Sequence, residues 1–158
     1  MTELLFQKIK EYVNIDGKEL DVLDEYFQHK KIQKGEHIYQ EGDLVNYAIF
    51  VESGLFRSYI IDEQGGEHIL QFAMAGWWTG DLGCFISGDP TNLYLEALED
   101  SEILRISRSS WNILLEKAPF YVDYHRKLLE KGLVATQNRL LDAYSVDAKK
   151  KYLHLLKT

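Results

Sequence analysis

Hydrophobic and polar positions change their period twice along this chain. From Glu3 to Val13 the apolar residues Leu4, Leu5, Ile9, Tyr12 and Val13 recur at helical spacing. Asp16 followed by Glu19 reads as a capping box, opening a second helix through Val22, Leu23, Tyr26 and Phe27. From about Lys31 to Ser107 the pattern becomes a series of short β-rich runs: IQKG, HIYQEGD, YAIFVESG, LFRSYIIDEQGG, EHILQFAMAG, LYLEALED and SEILRIS. Runs spaced by roughly ten residues and closed by turn signals predict an all-β sandwich, barrel or roll. Gly65-Gly66 after Asp62 marks a hairpin.

Helical period returns at Ser109, with Trp111, Leu114 and Leu115 on one face. Pro119 suits the first turn of a further helix, which the pattern extends from about Phe120 to Tyr144. Within it Leu129, Leu133, Thr136, Leu140 and Ala143 alternate by four and three, the seam of a short coiled coil. Gly132 and Ala135 would let a second helix approach closely. Such a stripe needs an apolar partner along its length. That partner is either the chain's own β core or a second copy. The expectation is a homodimer, with Leu129, Leu133, Thr136 and Leu140 at its interface. Residues Ser145 to Asp147 are expected to break the helix, and Asp147 to cap a new one from Ala148, with Tyr152, Leu153, Leu155 and Leu156 apolar. The expected division is 1–118 for the β-rich unit, 119–145 for the long helix, and 146–158 for the start of another domain.

Composition removes several function classes. The net charge is -7, with a pI near 5.2, and the one basic run is Lys149-Lys150-Lys151. A chain that grips nucleic-acid phosphates by itself needs a basic patch, so direct DNA binding is not expected. The single cysteine, Cys84, rules out an internal disulfide and any four-cysteine zinc or iron–sulfur site, and is read as a small buried hydrophobe. The charged N-terminus is no signal peptide, no run reaches the ~20 apolar residues of a membrane span, and a cytoplasmic location is expected. His29, His37, His68, His125 and His154 show no paired metal spacing. With no Ser/His/Asp order and no phosphate loop of the nucleotide-hydrolase kind, the chain reads as a non-enzyme, with no catalytic residue, metal or cofactor.

Four glycine-centred stretches occur in order: Lys34-Gly35-Glu36, Glu41-Gly42-Asp43, Phe50-Val51-Glu52-Ser53-Gly54, and Gly76 followed by Gly80-Asp81-Leu82. Together with the flanking helices they resemble the cyclic-nucleotide-binding fold, a mainly β, jelly-roll-like double-stranded β-helix followed by a long dimerisation helix. The long helix and the stretch Asp147-Ala148-Lys149-Lys150-Lys151-Tyr152-Leu153 are similar to the hinge and first DNA-domain helix of CRP/FNR-type transcription regulators. The resemblance implies an effector-sensing and dimerising unit. It also implies a winged helix-turn-helix that these residues lack, through truncation or gene loss, and through which alone DNA would be contacted.

In nucleotide-binding members of that family, backbone N–H groups hold the phosphate, an acidic residue accepts from the ribose, and an arginine neutralises the phosphate. Here Gly80 and Leu82 keep the frame and Asp81 takes the acid's place. Ungapped counting sets Thr91 and Asn92 where the arginine and its polar neighbour belong. Neither carries charge, and a charge-assisted hydrogen bond is worth ~1.5–3 kcal/mol, so losing it costs roughly ten- to a hundredfold in affinity. Arg57 or Arg105 could substitute if one pointed inward. Trp77 and Trp78 would either stack on a planar ligand or fill the pocket. The same correspondence puts Thr136 and Gln137 near a purine, although Thr136 also lies on the dimer seam. The expectation is a divergent pocket for an unidentified small molecule other than cAMP. The alternative is a structural dimerisation module with a collapsed pocket.

Overall fold

The computed structural model describes the backbone of residues 3–157 and every side chain in that span except those of residues 20, 146–148, 151 and 157. The side chain of Asp147, expected to cap a helix, and that of Lys151 therefore lie outside the described residues. Two helices, α1 (Glu3–Lys10) and α2 (Gly17–Tyr26), lead into the β-rich region. The capping box forms. Asp16 Oδ1 accepts from the Lys18 and Glu19 N–H groups at 3.1 and 3.2 Å, and Glu19 Oε2 accepts from the Asp16 N–H at 3.3 Å.

Eight strands follow: β1 (Gln28–Ile32), β2 (His37–Tyr39), β3 (Tyr47–Ser53), β4 (Leu55–Ile61), β5 (Glu67–Met74), β6 (Trp78–Thr79), β7 (Tyr94–Ala97) and β8 (Ser101–Ser107). They build two four-stranded sheets, ordered β1-β8-β3-β6 and β2-β7-β4-β5, with every pairing antiparallel. β1 begins at Gln28, earlier than expected, because its first four residues are all exposed and show no alternation. The β4–β5 hairpin closes at the expected glycines: Asp62 Oδ1 accepts from the Gln64 and Gly66 N–H groups, and Gly65 takes a φ of 84°. Ile32, Ile49, Phe56, Leu95, Ile103 and Ile106 are among the buried residues of the core.

A short helix, α3 (Leu82–Ser87), bridges β6 and β7. After β8, Ser107 caps α4 (Arg108–Lys117), its hydroxyl accepting from the Ser110 N–H at 3.2 Å. Pro119 then opens α5 (Pro119–Lys157). An aromatic cluster ties these helices to the roll. Trp78 packs against Phe27, Phe50 and Trp111, and its Nε1 donates to Tyr124 Oη at 2.8 Å.

Helix α5 has 39 residues and no interruption, which makes it about 58 Å long at 1.5 Å per residue. The break expected at residues 145–147 does not occur. Ser, Val and Asp are only moderately poor helix formers, no glycine or proline stands there, and Ala143 and Ala148 flank them. Tyr121 and Tyr124 in the first turns are buried, but from Leu129 onward every described side chain is exposed. The apolar stripe of α5 therefore does not pack on the chain's own sheets.

Candidate functional site

The cassette begins where β6 turns into α3. Gly80 takes a φ of 109°, and a Cβ there would stand 2.9 Å from Tyr39 Oη. Left-handed backbone and close approach both demand glycine. Asp81 caps α3, and each of its oxygens accepts a hydrogen bond. Its Oδ1 accepts from the Cys84 N–H at 3.1 Å, its Oδ2 from Thr91 Oγ1 at 2.8 Å, and its backbone carbonyl from the Phe85 N–H. The Asp81 N–H donates to Tyr39 Oη at 2.6 Å. Leu82 packs on the core.

Thr91 is 1% exposed and has every polar group committed. Its N–H donates to the Asp43 carbonyl, its own carbonyl accepts from the Gly42 N–H, and its hydroxyl also accepts from the Leu93 N–H at 3.0 Å. The loop that follows α3 is thus tied to the turn before β3. Asn92 is exposed beside it. Burial alone would raise the Asp81 carboxyl. The hydrogen bonds from the Cys84 N–H and the Thr91 hydroxyl outweigh it and hold the group below its ordinary value, so it is an anion at neutral pH. Burial pushes the Tyr39 phenol well up, so it stays a neutral bridge.

Among the described residues no arginine is bonded to this carboxylate. Arg57 is taken by Glu96 at 2.7 Å and Glu67 at 3.0 Å. Arg105 lies over the Tyr47 ring at 4.1 Å, with Nε donating to Gln28. Arg108 is beside α3, but its Nε donates to the Phe85 carbonyl near the C-terminal end, where a cation complements the helix dipole rather than a phosphate.

The remaining expected residues fall elsewhere. The Trp78 indole is committed to the aromatic cluster, and Trp77 is 46% exposed. Thr136 and Gln137 are exposed on α5, and the Thr136 hydroxyl donates to the Gly132 carbonyl at 2.9 Å. Among the described residues, none of the hydrogen-bond partners of Asp81 or Thr91 comes from α5. Leu129, Leu133, Thr136 and Leu140 all lie exposed on the free part of that helix. Tyr39 escaped the sequence reading, because its hydrogen bond joins residues 42 positions apart and leaves no local signal.

A sequence model of the cyclic nucleotide-binding domain matches residues 29–118. The chain belongs to this family. Its relatives include the fumarate and nitrate reduction regulatory protein of Vibrio cholerae, 33% identical over 130 residues, a match covering 80% of this chain and 50% of that protein. The chain spans about half the length of the curated relatives it matches. The Thermus thermophilus Catabolite Activator Protein superposes with a TM-score of 0.72 at 23% identity, over 84% of this chain and 61% of that one. The sensor domain of the transcriptional regulator DNR from Pseudomonas aeruginosa superposes with a TM-score of 0.68 at 18% identity, over 88% and 90% of the two chains. These two likenesses show the fold.

Proposed function

We propose that this chain is the effector-sensing and dimerisation part of a CRP/FNR-type transcription regulator, with a cassette that does not serve cAMP. The observation that carries the reading is the free stretch of α5. Leu129, Leu133, Leu140 and Tyr144 recur along it and are 42, 71, 55 and 71% exposed. A lone helix with this much apolar surface gains little from propensity, whereas a second copy would bury the seam. The similarity to regulators supports a non-enzymatic, DNA-linked role in the cytoplasm. Among the described residues no helix is long and apolar enough to cross a membrane. Residues 146–158 would begin the DNA-reading part, reached along one continuous helix. An effector that favoured one arrangement of paired α5 helices would thereby move that part.

The self-satisfied Asp81–Thr91 pair supports a cassette unsuited to a cyclic phosphate. It equally favours the second reading, a structural dimerisation module whose nucleotide pocket is closed. Sedimentation velocity tests the shared core of both. The chain should sediment as a dimer and the Leu133→Asp/Leu140→Asp variant as a monomer. A monomeric parent chain at tens of micromolar would overturn the dimer reading.

A further inference from the structure

A crevice of about 170 Å³ opens between β1, β3 and β8 and the segment around β2, away from the residues of α3. Its floor is apolar, formed by Ile32, Ile49 and Ile103, which are at most 3% exposed. Two cations stand over that floor. The register pairs Lys30 with Ile103 and Gln28 with Arg105, so Lys30 and Arg105 are diagonal neighbours on one face of the sheet.

Neither cation makes an ion pair among the described residues, in a chain whose net charge is -7. Arg105 is nonetheless held in place, stacked on Tyr47 at 4.1 Å and anchored through Nε to Gln28 Oε1 at 3.3 Å. That leaves both terminal amino groups of its planar fork open to a carboxylate. The other ionisable groups of the lining are turned to other partners. Glu36 accepts from the Gln33 N–H within its own turn, and His37 Nε2 lies 2.8 Å from Tyr59 Oη. The volume is below the ~300–1,000 Å³ of sites for drug-sized ligands, which suits a ligand smaller than a nucleotide.

We propose that this crevice binds a small organic carboxylate with an apolar body. Arg105 and Lys30 take the carboxylate, while the isoleucine floor and Tyr47 take the body. The crevice also approaches the cassette, because Tyr39 is one of its lining residues and holds the Asp81 N–H through Oη. The site lies within one roll and stands whether or not the chain dimerises.

The test is a titration of the 15N-labelled chain with benzoate, with its uncharged analogue benzamide, and with inorganic phosphate, at constant ionic strength. Benzoate should shift the amides of Lys30, Tyr47, Ile103 and Arg105 saturably, and benzamide and phosphate should not. Arg105→Gln should weaken benzoate about tenfold or more, the loss expected for one charge-assisted contact. Lys30→Gln, at an exposed position, provides a second weakened variant, and the amide spectrum itself shows that each remains folded. Absence of a saturable benzoate response overturns the proposal. So does an equal response to phosphate or benzamide, or one unchanged in Arg105→Gln.

Discussion

Thr91 Oγ1 donates a 2.8 Å hydrogen bond to Asp81 Oδ2, joining the two positions where the family resemblance leads one to expect an acid and an arginine. With Thr91 buried, the bond forms an internal clasp between α3 and the loop that follows it. Thr91→Val keeps the shape and removes the hydroxyl. It leaves Asp81 Oδ2 and the Leu93 N–H without their partner, which costs about 1–3 kcal/mol. Thermal unfolding followed by circular dichroism should show a midpoint several degrees lower. An unchanged midpoint would mean that the clasp contributes nothing.

Gly80 and Tyr39 make a second relationship, steric rather than attractive. Gly80→Ala forces a side chain into φ +109° and sets its Cβ 2.9 Å from Tyr39 Oη. The strain of such backbone alone is about 1–3 kcal/mol. Tyr39→Phe removes the colliding oxygen together with its bond to Asp81. The double variant should therefore be less destabilised than the sum of the two single variants. Strict additivity in denaturant titrations would show that the two groups do not meet.

Local chemistry explains what the chain revealed before its structure. The Asp16–Glu19 capping box and the Asp62 hairpin each depend on residues within four positions of one another, so their pattern is the interaction. Trp78 is different. Its place is decided by Phe50 on β3, Trp111 on α4 and Tyr124 on α5, and no spacing around residue 78 encodes those contacts. The inward or outward sense of Arg57 and Arg105 was equally hidden, because register shifts interrupt both the β4–β5 and β3–β8 pairings. The helix at residues 145–147 was misread for a thermodynamic reason. Three mediocre helix formers cost less than interrupting a helix that is already nucleated on both sides.

His125 links pH to the joint between the roll and α5. Its ring stands edge-on to Trp111 at 4.5 Å and stacks on Tyr121 at 6.3 Å, and burial lowers its pKa from 6.5. Above that value both folded and unfolded chains hold a neutral imidazole. As pH falls below it, the unfolded chain takes up the proton first, so stability drops with acidification. Asp81 adds a separate loss at lower pH, because its folded-state pKa is depressed and its contribution drains as pH falls through that lowered value. His125→Phe preserves the aromatic contacts and should flatten the stability profile just below pH 6.5, leaving the more acidic limb to carboxylates such as Asp81 and Asp62. An identical profile in the parent and His125→Phe chains would remove His125 from the account.

The cassette itself makes the last prediction. A ligand at ~100 times its dissociation constant adds about 2.7 kcal/mol to folding and raises the midpoint by several degrees. Millimolar cAMP should produce no such rise here, since the position expected to supply a cation holds Thr91, whose hydroxyl already serves Asp81. Thr91→Arg puts the charge back next to an anionic carboxylate and opens the clasp. If the rest of the cassette still has the geometry of its nucleotide-binding relatives, that variant should gain a cAMP-dependent rise that the parent lacks. A rise in the parent chain would show that another cation is recruited, and would defeat the argument from Thr91. A flat response in both chains would show that a cation at residue 91 is not by itself enough to bind cAMP.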